Sequence, residues 1–220
     1  MNLFDILGPV MVGPSSSHTA GAVRMGLIAR QLLGEVPAEA EIILHGSFAD
    51  TGDGHGTDKA LVAGLLGLTP DDERIPVSFA LAGEAGLRFT ILRRELRGAH
   101  PNTALLTLRG VNGAQTSVQC ASIGGGRIRV EKLGGVDVSF SAEHNTLIIH
   151  NNDVPGIVAE VSSRLAGQGI NIATLQLFRD KRGGRAVMVL EIDQPLSRDA
   201  AELIAAHPNV LRVNYLHVSG

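Results

Sequence analysis

The chain has 220 residues, 44% of them apolar, with 19 Lys and Arg against 22 Asp and Glu for a net charge of −3. That length allows one or two packed domains, the absence of a basic excess argues against nucleic-acid binding, and no apolar run approaches the roughly 20 residues of a membrane helix. Aromatic residues make up only 3% and Trp is absent, so the apolar content is aliphatic, which favours helices packed on sheets.

In chain order, Met1 to Gly8 carries no basic start leading into a long apolar stretch, so no signal peptide is read and a cytoplasmic location is expected. Ala22, Met25, Ile28, Ala29, Leu32 and Leu33 recur at helical spacing and predict a helix over about 19–33. Glu41 to Leu44 predicts a short strand, and Leu61, Val62, Leu65, Leu66 and Leu68 predict a second helix over about 57–68. Strands are predicted at Val77–Leu81, Leu87–Leu92, Ala104–Leu108, Thr116–Ile123 and Arg127–Lys132, with Gly124-Gly125-Gly126 joining the last two as a hairpin. The single cysteine, Cys120, lies in the alternating run Ser117–Ser122. It has no disulfide partner and cannot hold an iron–sulfur cluster alone, so a buried core thiol is expected.

A boundary is drawn at residue 142, dividing the chain into 1–142 and 143–220. Beyond it, Leu147–His150 is a β-branched strand and Asn151 to Gly156 a turn. Ile157, Val158, Val161 and Leu165 mark a helix closed by Gly167 and Gly169. Ile170–Phe178 and Ala186–Ile192 are strands paired through Arg182-Gly183-Gly184, Ala200–Ala206 is a helix stopped by Pro208, and Val210–Leu216 is a last strand. The order βαββαβ is the ferredoxin-like arrangement. The fold class expected is α+β, an α/β first domain with a substantial sheet followed by this split unit.

Residues with chemical potential gather before residue 60. Gly13-Pro14-Ser15-Ser16-Ser17-His18-Thr19 opens the first helix, where hydroxyls and free backbone N–H groups favour a carboxylate or phosphate. Capping needs only one of those hydroxyls. His45-Gly46-Ser47 follows a strand, and Thr51-Gly52-Asp53-Gly54-His55-Gly56-Thr57-Asp58 enters the second helix, with glycines leaving the His55 ring reachable. A histidine in such a place suits proton transfer. The spacing shows no His-x-x-x-His pair or cysteine partner for zinc, so no metal ligand is expected in this chain. His100, His144, His150, His207 and His217 are read as surface or structural, and Arg93, Arg94 and Arg97 as a solvated or interface strand edge.

Asn152-Asp153-Val154-Pro155-Gly156-Ile157 and Gly169-Ile170-Asn171-Ile172, on a βαββαβ pattern, resemble the ACT family of amino-acid-sensing domains over about residues 145–219. That resemblance implies a regulatory ligand near Asn152, Asp153, Pro155, Gly156, Ile157 and Asn171, with self-association of the domain. The three clusters before residue 60, the Met1–Pro9 opening and Gly98-Ala99-His100-Pro101-Asn102-Thr103 closely resemble the β-subunit family of bacterial iron–sulfur L-serine dehydratases. This second resemblance spans essentially the whole chain. It implies conversion of L-serine to pyruvate and ammonia, by a [4Fe–4S] cluster whose cysteines belong to an α subunit, without pyridoxal phosphate. It further implies that His18, His55, Ser47 and Asp58 serve catalysis, and that Ser15, Ser16, Ser17, Thr19, His45, Gly46 and Thr57 serve substrate binding. The alternatives are a free-standing amino-acid sensor without catalysis, and a metal- or phosphate-dependent hydrolase built on Asp53, His55 and Asp58.

Overall fold

The aliphatic stripe of residues 22–33 folds as a helix because its small and branched side chains meet one buried face: Ala22, Met25, Ala29, Leu32 and Leu33 are almost wholly shielded from solvent. The computed structural model describes residues 11–13, 15–50 and 56–217. It divides into two compact units, Met1–Gly134 and Gly135–Gly220. The boundary read from the sequence, at residue 142, falls after the strand Val136–Phe140, and the division between units falls before it.

The first unit begins with a π-helical turn, Ser16–Ala20, running directly into α1, Gly21–Leu33. β1 is Pro37–His45, and residues 47–50 form a helical turn immediately after it. α2, Thr57–Leu66, is ended by Gly67 in the left-handed region at φ 91°. A 3₁₀ turn, Ile75–Val77, leads into α3, Ser78–Glu84. β2 (Arg88–Arg93), β3 (Thr103–Gly110), β4 (Gln115–Gly124) and β5 (Arg127–Leu133) follow, and β6 (Val136–Phe140) comes after the division, in the second unit. Within the first unit the strand order is β2-β1-β3-β4-β5. β1 and β2 are parallel, Ile42 opposite Ile91, so the chain needs a crossover between them, supplied by α2 and α3. The β1–β3 and β3–β4 pairs are antiparallel, Ile42 facing Leu106 and Leu106 facing Val118. Ala40, Leu44, Ala104, Leu108 and Cys120 are buried in the same core, and Cys120 is the shielded thiol its strand pattern predicts. α1 lies across β3, β4 and β5 and against α2. The two helices touch backbone to backbone: a Cβ on Gly64 would stand 2.8 Å from the Leu27 nitrogen and 2.9 Å from Gly26 Cα. Only glycine permits that approach.

One predicted strand is corrected. Val77–Leu81 is helical, divided between the 3₁₀ turn and α3. Five residues are too few for periodicity to separate strand from helix. Tertiary contacts decide the matter: buried Ser78 donates its hydroxyl to the Lys59 carbonyl at 2.8 Å, and Phe79 meets Phe89 with ring centroids 5.0 Å apart.

The second unit contains β7 (Thr146–Asn152), α4 (Ile157–Gly167), β8 (Ile172–Arg179), β9 (Arg185–Ile192), α5 (Arg198–Ala205) and β10 (Val210–Leu216), in sheet order β10-β7-β9-β8. This is the βαββαβ order expected. Leu147, Ile149, Met188, Leu190 and Ile192 from the strands bury against Ile157, Val161, Leu165, Ala200 and Ile204 from the helices. No helix among the described residues is long and apolar enough to cross a membrane.

Candidate functional site

Ser15 has extended backbone and caps the π-helical turn, its Oγ accepting the His18 amide at 3.2 Å. In and beside this wide π-helical turn, Ser15, Ser16, Ser17 and the His18 ring are half-buried. His18 Nδ1 lies 3.1 Å from Ser17 Oγ and 3.3 Å from Ser15 Oγ, and those two hydroxyls are 3.2 Å from each other. Its other nitrogen, Nε2, is 3.2 Å from Ser47 Oγ, a residue 29 positions along the chain. Ser47 stands in the first turn of the helical segment after β1. Gly46, at φ 56°, turns the strand into that helix. Fully buried Phe48 presents its ring edge to His18 at 5.2 Å and fixes the imidazole plane. A neutral imidazole carries one proton and one lone pair. A ring held between hydroxyls on both nitrogens can therefore pass a proton in either direction.

The remaining predicted residues fall into distinct places. Thr19 is buried beside Gly13, and its Oγ1 has no hydrogen-bond partner among the described residues. Thr57, the first residue of α2, is wholly buried with its Oγ1 equally without a partner among them. Buried hydroxyls normally find partners, which sets these two apart within the fold. Asp58 folds back on its own helix start, accepting the Lys59 amide at 2.8 Å. Ser16 is half-buried within the π-helical turn. His45 is turned inward: it is 8% exposed and its Nδ1 accepts the Leu96 amide at 3.1 Å, so it braces the segment after β2. His55, with Asp53 and the rest of 51–55, lies outside the described residues, as do Pro14 and the opening residues 1–10. Phe48 and Ser122 are neighbours that residue chemistry alone did not mark. Phe48 directly follows the His45-Gly46-Ser47 cluster, whereas Ser122 carries no signal beyond its strand.

In the second unit Gly156, at φ 91°, opens α4 without any side-chain cap. Asp153 Oδ2 accepts the Gly183 amide at 2.9 Å and an Arg179 N–H at 3.1 Å. The Gly183 amide, and then Arg179, hold this carboxyl below its ordinary range. Asn152 Nδ2 is 3.3 Å from Asn209 Oδ1, Pro155 is exposed, and Ile157 is a core residue. A hollow of about 400 Å³ lies between Asp153, Pro155, Arg179, Arg182 and Gly183. Asn171 does not join this group. It precedes β8 at the opposite end of the sheet, where Ile172 pairs with Ile192, and its amide side chain donates to Asp193 at 2.7 Å. The length of α4, which carries the chain from one end of the sheet to the other, separates the two positions.

Among the described residues no group of three or more His, Cys, Asp and Glu side chains is placed to hold a metal ion. An iron–sulfur cluster takes several thiolates. The one cysteine is buried in β4, where burial pushes its thiol pKa far upward, so this chain's donors do not fit a cluster.

Comparison with known proteins agrees with the two-unit architecture. The family model for the serine dehydratase beta chain matches residues 2–85, and that for the ACT domain matches residues 145–209. The chain is 38% identical to the L-serine dehydratase beta chain of Peptoniphilus asaccharolyticus, covering 98% of this chain and 97% of that one. It is equally 38% identical to a probable L-serine dehydratase beta chain of Bacillus subtilis, covering 96% of each. A Streptomyces coelicolor L-serine dehydratase is 31% identical over 62% of this chain but only 35% of its own length. With matched length, matched domains and this degree of identity, the chain belongs to the L-serine dehydratase beta-chain family and ends in an ACT domain.

Proposed function

We propose that this chain is the β subunit of an L-serine dehydratase, converting L-serine to pyruvate and ammonia with an α subunit that carries a [4Fe–4S] cluster, without pyridoxal phosphate. The observation that carries this reading is the end-to-end match to chains named L-serine dehydratase beta chain. The longer Streptomyces relative fits the same division of labour, since most of its length lies beyond the part matched here. When bound by the partner, the cluster supplies a Lewis acid for the serine hydroxyl.

This chain's own residues bind the substrate and handle protons. The starts of the π-helical turn and of α2 offer backbone N–H groups to the serine carboxylate. Ser15, Ser16, Ser17, Thr19 and Thr57 add hydroxyls, the last two of them buried and free of partners among the described residues. His18, oriented by Phe48 and tied to Ser47, takes or returns a proton, and His55 shares that work. Asp58 steadies the α2 start. The ACT domain binds an amino acid, L-serine itself, at the Gly156 helix start and pairs with a second copy. The assembly works in the cytoplasm, away from membrane and nucleic acid.

The test is an anaerobic pull-down of the tagged chain from its own cells, assayed for pyruvate release from L-serine. The expected result is a brown, cysteine-bearing partner and serine-dependent pyruvate. A colourless, partnerless and inactive preparation from cells whose extracts do have the activity would overturn the reading in favour of a free-standing sensor.

A further inference from the structure

The His18–Ser47 contact joins two elements that lie 29 residues apart, so something outside both must set their separation. One stretch of chain touches the Ser47 turn directly and reaches the His18 turn through Ser122. The carbonyl oxygen of Pro101 stands 2.6 Å, and its Cα 2.9 Å, from where a Cβ on Gly46 would be, against the turn that delivers Ser47. The next residue, Asn102, accepts the Ser122 amide at 2.9 Å. Ser122 in turn lies against Gly21, its Cβ 3.0 Å from where a Gly21 Cβ would stand and its Oγ nearer still. Gly21 closes the π-helical turn by donating its N–H to the Ser16 carbonyl. Ser122 is wholly buried, and its hydroxyl has no hydrogen-bond partner among the described residues, so hydrogen bonding by that hydroxyl does not account for it. Its backbone is pinned in β4 opposite Ile128 of β5, so a collision at this point displaces the turn rather than the strand.

We propose that Pro101, Asn102 and Ser122 form a brace that fixes the His18–Ser47 distance, with Ser122 a positioning residue acting through Gly21 on the π-helical turn. The close fit at Gly21 is what transmits the position, and a side chain there breaks it. π-Helical segments tend to occur at functional sites, and this one places His18 where a displacement of about 1 Å costs on the order of 100-fold in rate.

The inference rests on the catalytic role proposed for His18, and its test separates the two. Gly21→Ala, Ser122→Gly and the double variant are compared in the full chain, both alone and assembled with its partner. In the isolated chain the His18 ring ¹⁵N shifts, which report its contacts with Ser17 and Ser47, move in Gly21→Ala and return in the double variant. In the assembled enzyme Gly21→Ala lowers kcat by about 10- to 100-fold, with KM for serine changed far less, and Ser122→Gly restores most of the loss. Unmoved His18 shifts in a folded Gly21→Ala chain, or shifts that stay displaced in the double variant, overturn the brace. Should Gly21→Ala not fold, Ser122→Val crowds the same spot from the other side, and a wild-type His18 spectrum there overturns it equally. If the shifts move and return but His18→Ala leaves turnover intact, the brace stands and the catalytic reading of His18 falls.

Discussion

The helix starts at the two candidate sites, one in each unit, are equipped in opposite ways. In the first, the π-helical turn crowds Ser15, Ser17 and His18 together and ties His18 to Ser47 at 3.2 Å. In the second, α4 starts at Gly156 with no side-chain cap, and the neighbouring carboxylate of Asp153 is already neutralised by Arg179. A helix start bearing a histidine and several hydroxyls can bind an anion and move a proton. A helix start offering amides alone can only bind. On the function proposed above, a helix start is put to chemistry in one unit and to recognition in the other.

The largest effect expected is at the centre of that contrast. His18→Ala in the assembled enzyme lowers kcat at least about 100-fold while the far-UV dichroism of the chain is unchanged. Steady-state kinetics settle it, and a loss of only a few-fold would erase the distinction between the two helix starts. Next in size is a pair of helical glycines with opposite environments. Gly64 in α2 meets the α1 backbone, whereas Gly167 at the end of α4 has open space around it. Gly64→Val is expected to cost more than about 3 kcal/mol by overpacking a contact that cannot give. Gly167→Ala is expected to gain roughly 0.4–1 kcal/mol by restricting the unfolded chain. Denaturant midpoints of the two variants should therefore move in opposite directions.

Much of this was legible before any coordinates. The βαββαβ unit was read to within a few residues because Asn152–Gly156, Gly167, Gly169 and Arg182–Gly184 punctuate strong apolar runs. The run at 77–81 misled because Val, Phe and Leu favour strands locally, while the Ser78–Lys59 and Phe79–Phe89 contacts that make it helical are long-range. The π-helical turn was hidden too, since the composition of Ser16–Ala20 reads only as a helix opening. At the site, His18 and Ser47 were visible as members of clusters, but nothing local pairs them across 29 residues. Nor could spacing show that the His45 ring is spent on the Leu96 amide, or that Asn171 ends up at the far end of its sheet from Gly156.

A smaller effect belongs to the second unit and concerns pH. His150 sits in β7, where burial, then the charges of Arg212 and Arg185, lower its pKa from 6.5 to about 4. The unfolded chain binds the proton more readily, so folding is unaffected above pH 6.5 and is progressively disfavoured as pH falls toward 4. Over that window the loss approaches about 3 kcal/mol. His150→Gln should flatten the decline in unfolding midpoint between neutral pH and pH 4, and an unchanged decline would place the acid sensitivity elsewhere.

Asp153 gives the smallest effect, with the opposite charge logic. Its folded pKa lies below the ordinary 3.8 because the Gly183 amide and Arg179 favour the ionised form. The stability it adds is therefore complete above that ordinary value and is lost as pH falls through the lowered one. Asp153→Asn should lower the unfolding midpoint slightly at pH 7, and the gap to the parent chain should close in strong acid. The pairing has a second consequence. An unpaired carboxylate beside the Gly156 helix start would repel the carboxylate of an amino acid, and Arg179 removes that repulsion. If Asp153→Asn leaves Arg179 unopposed, it should tighten binding of an amino acid there, measurable by calorimetry, even as it weakens the fold. Weaker binding together with the weaker fold would mean that Asp153 organises the loop more than it burdens the site.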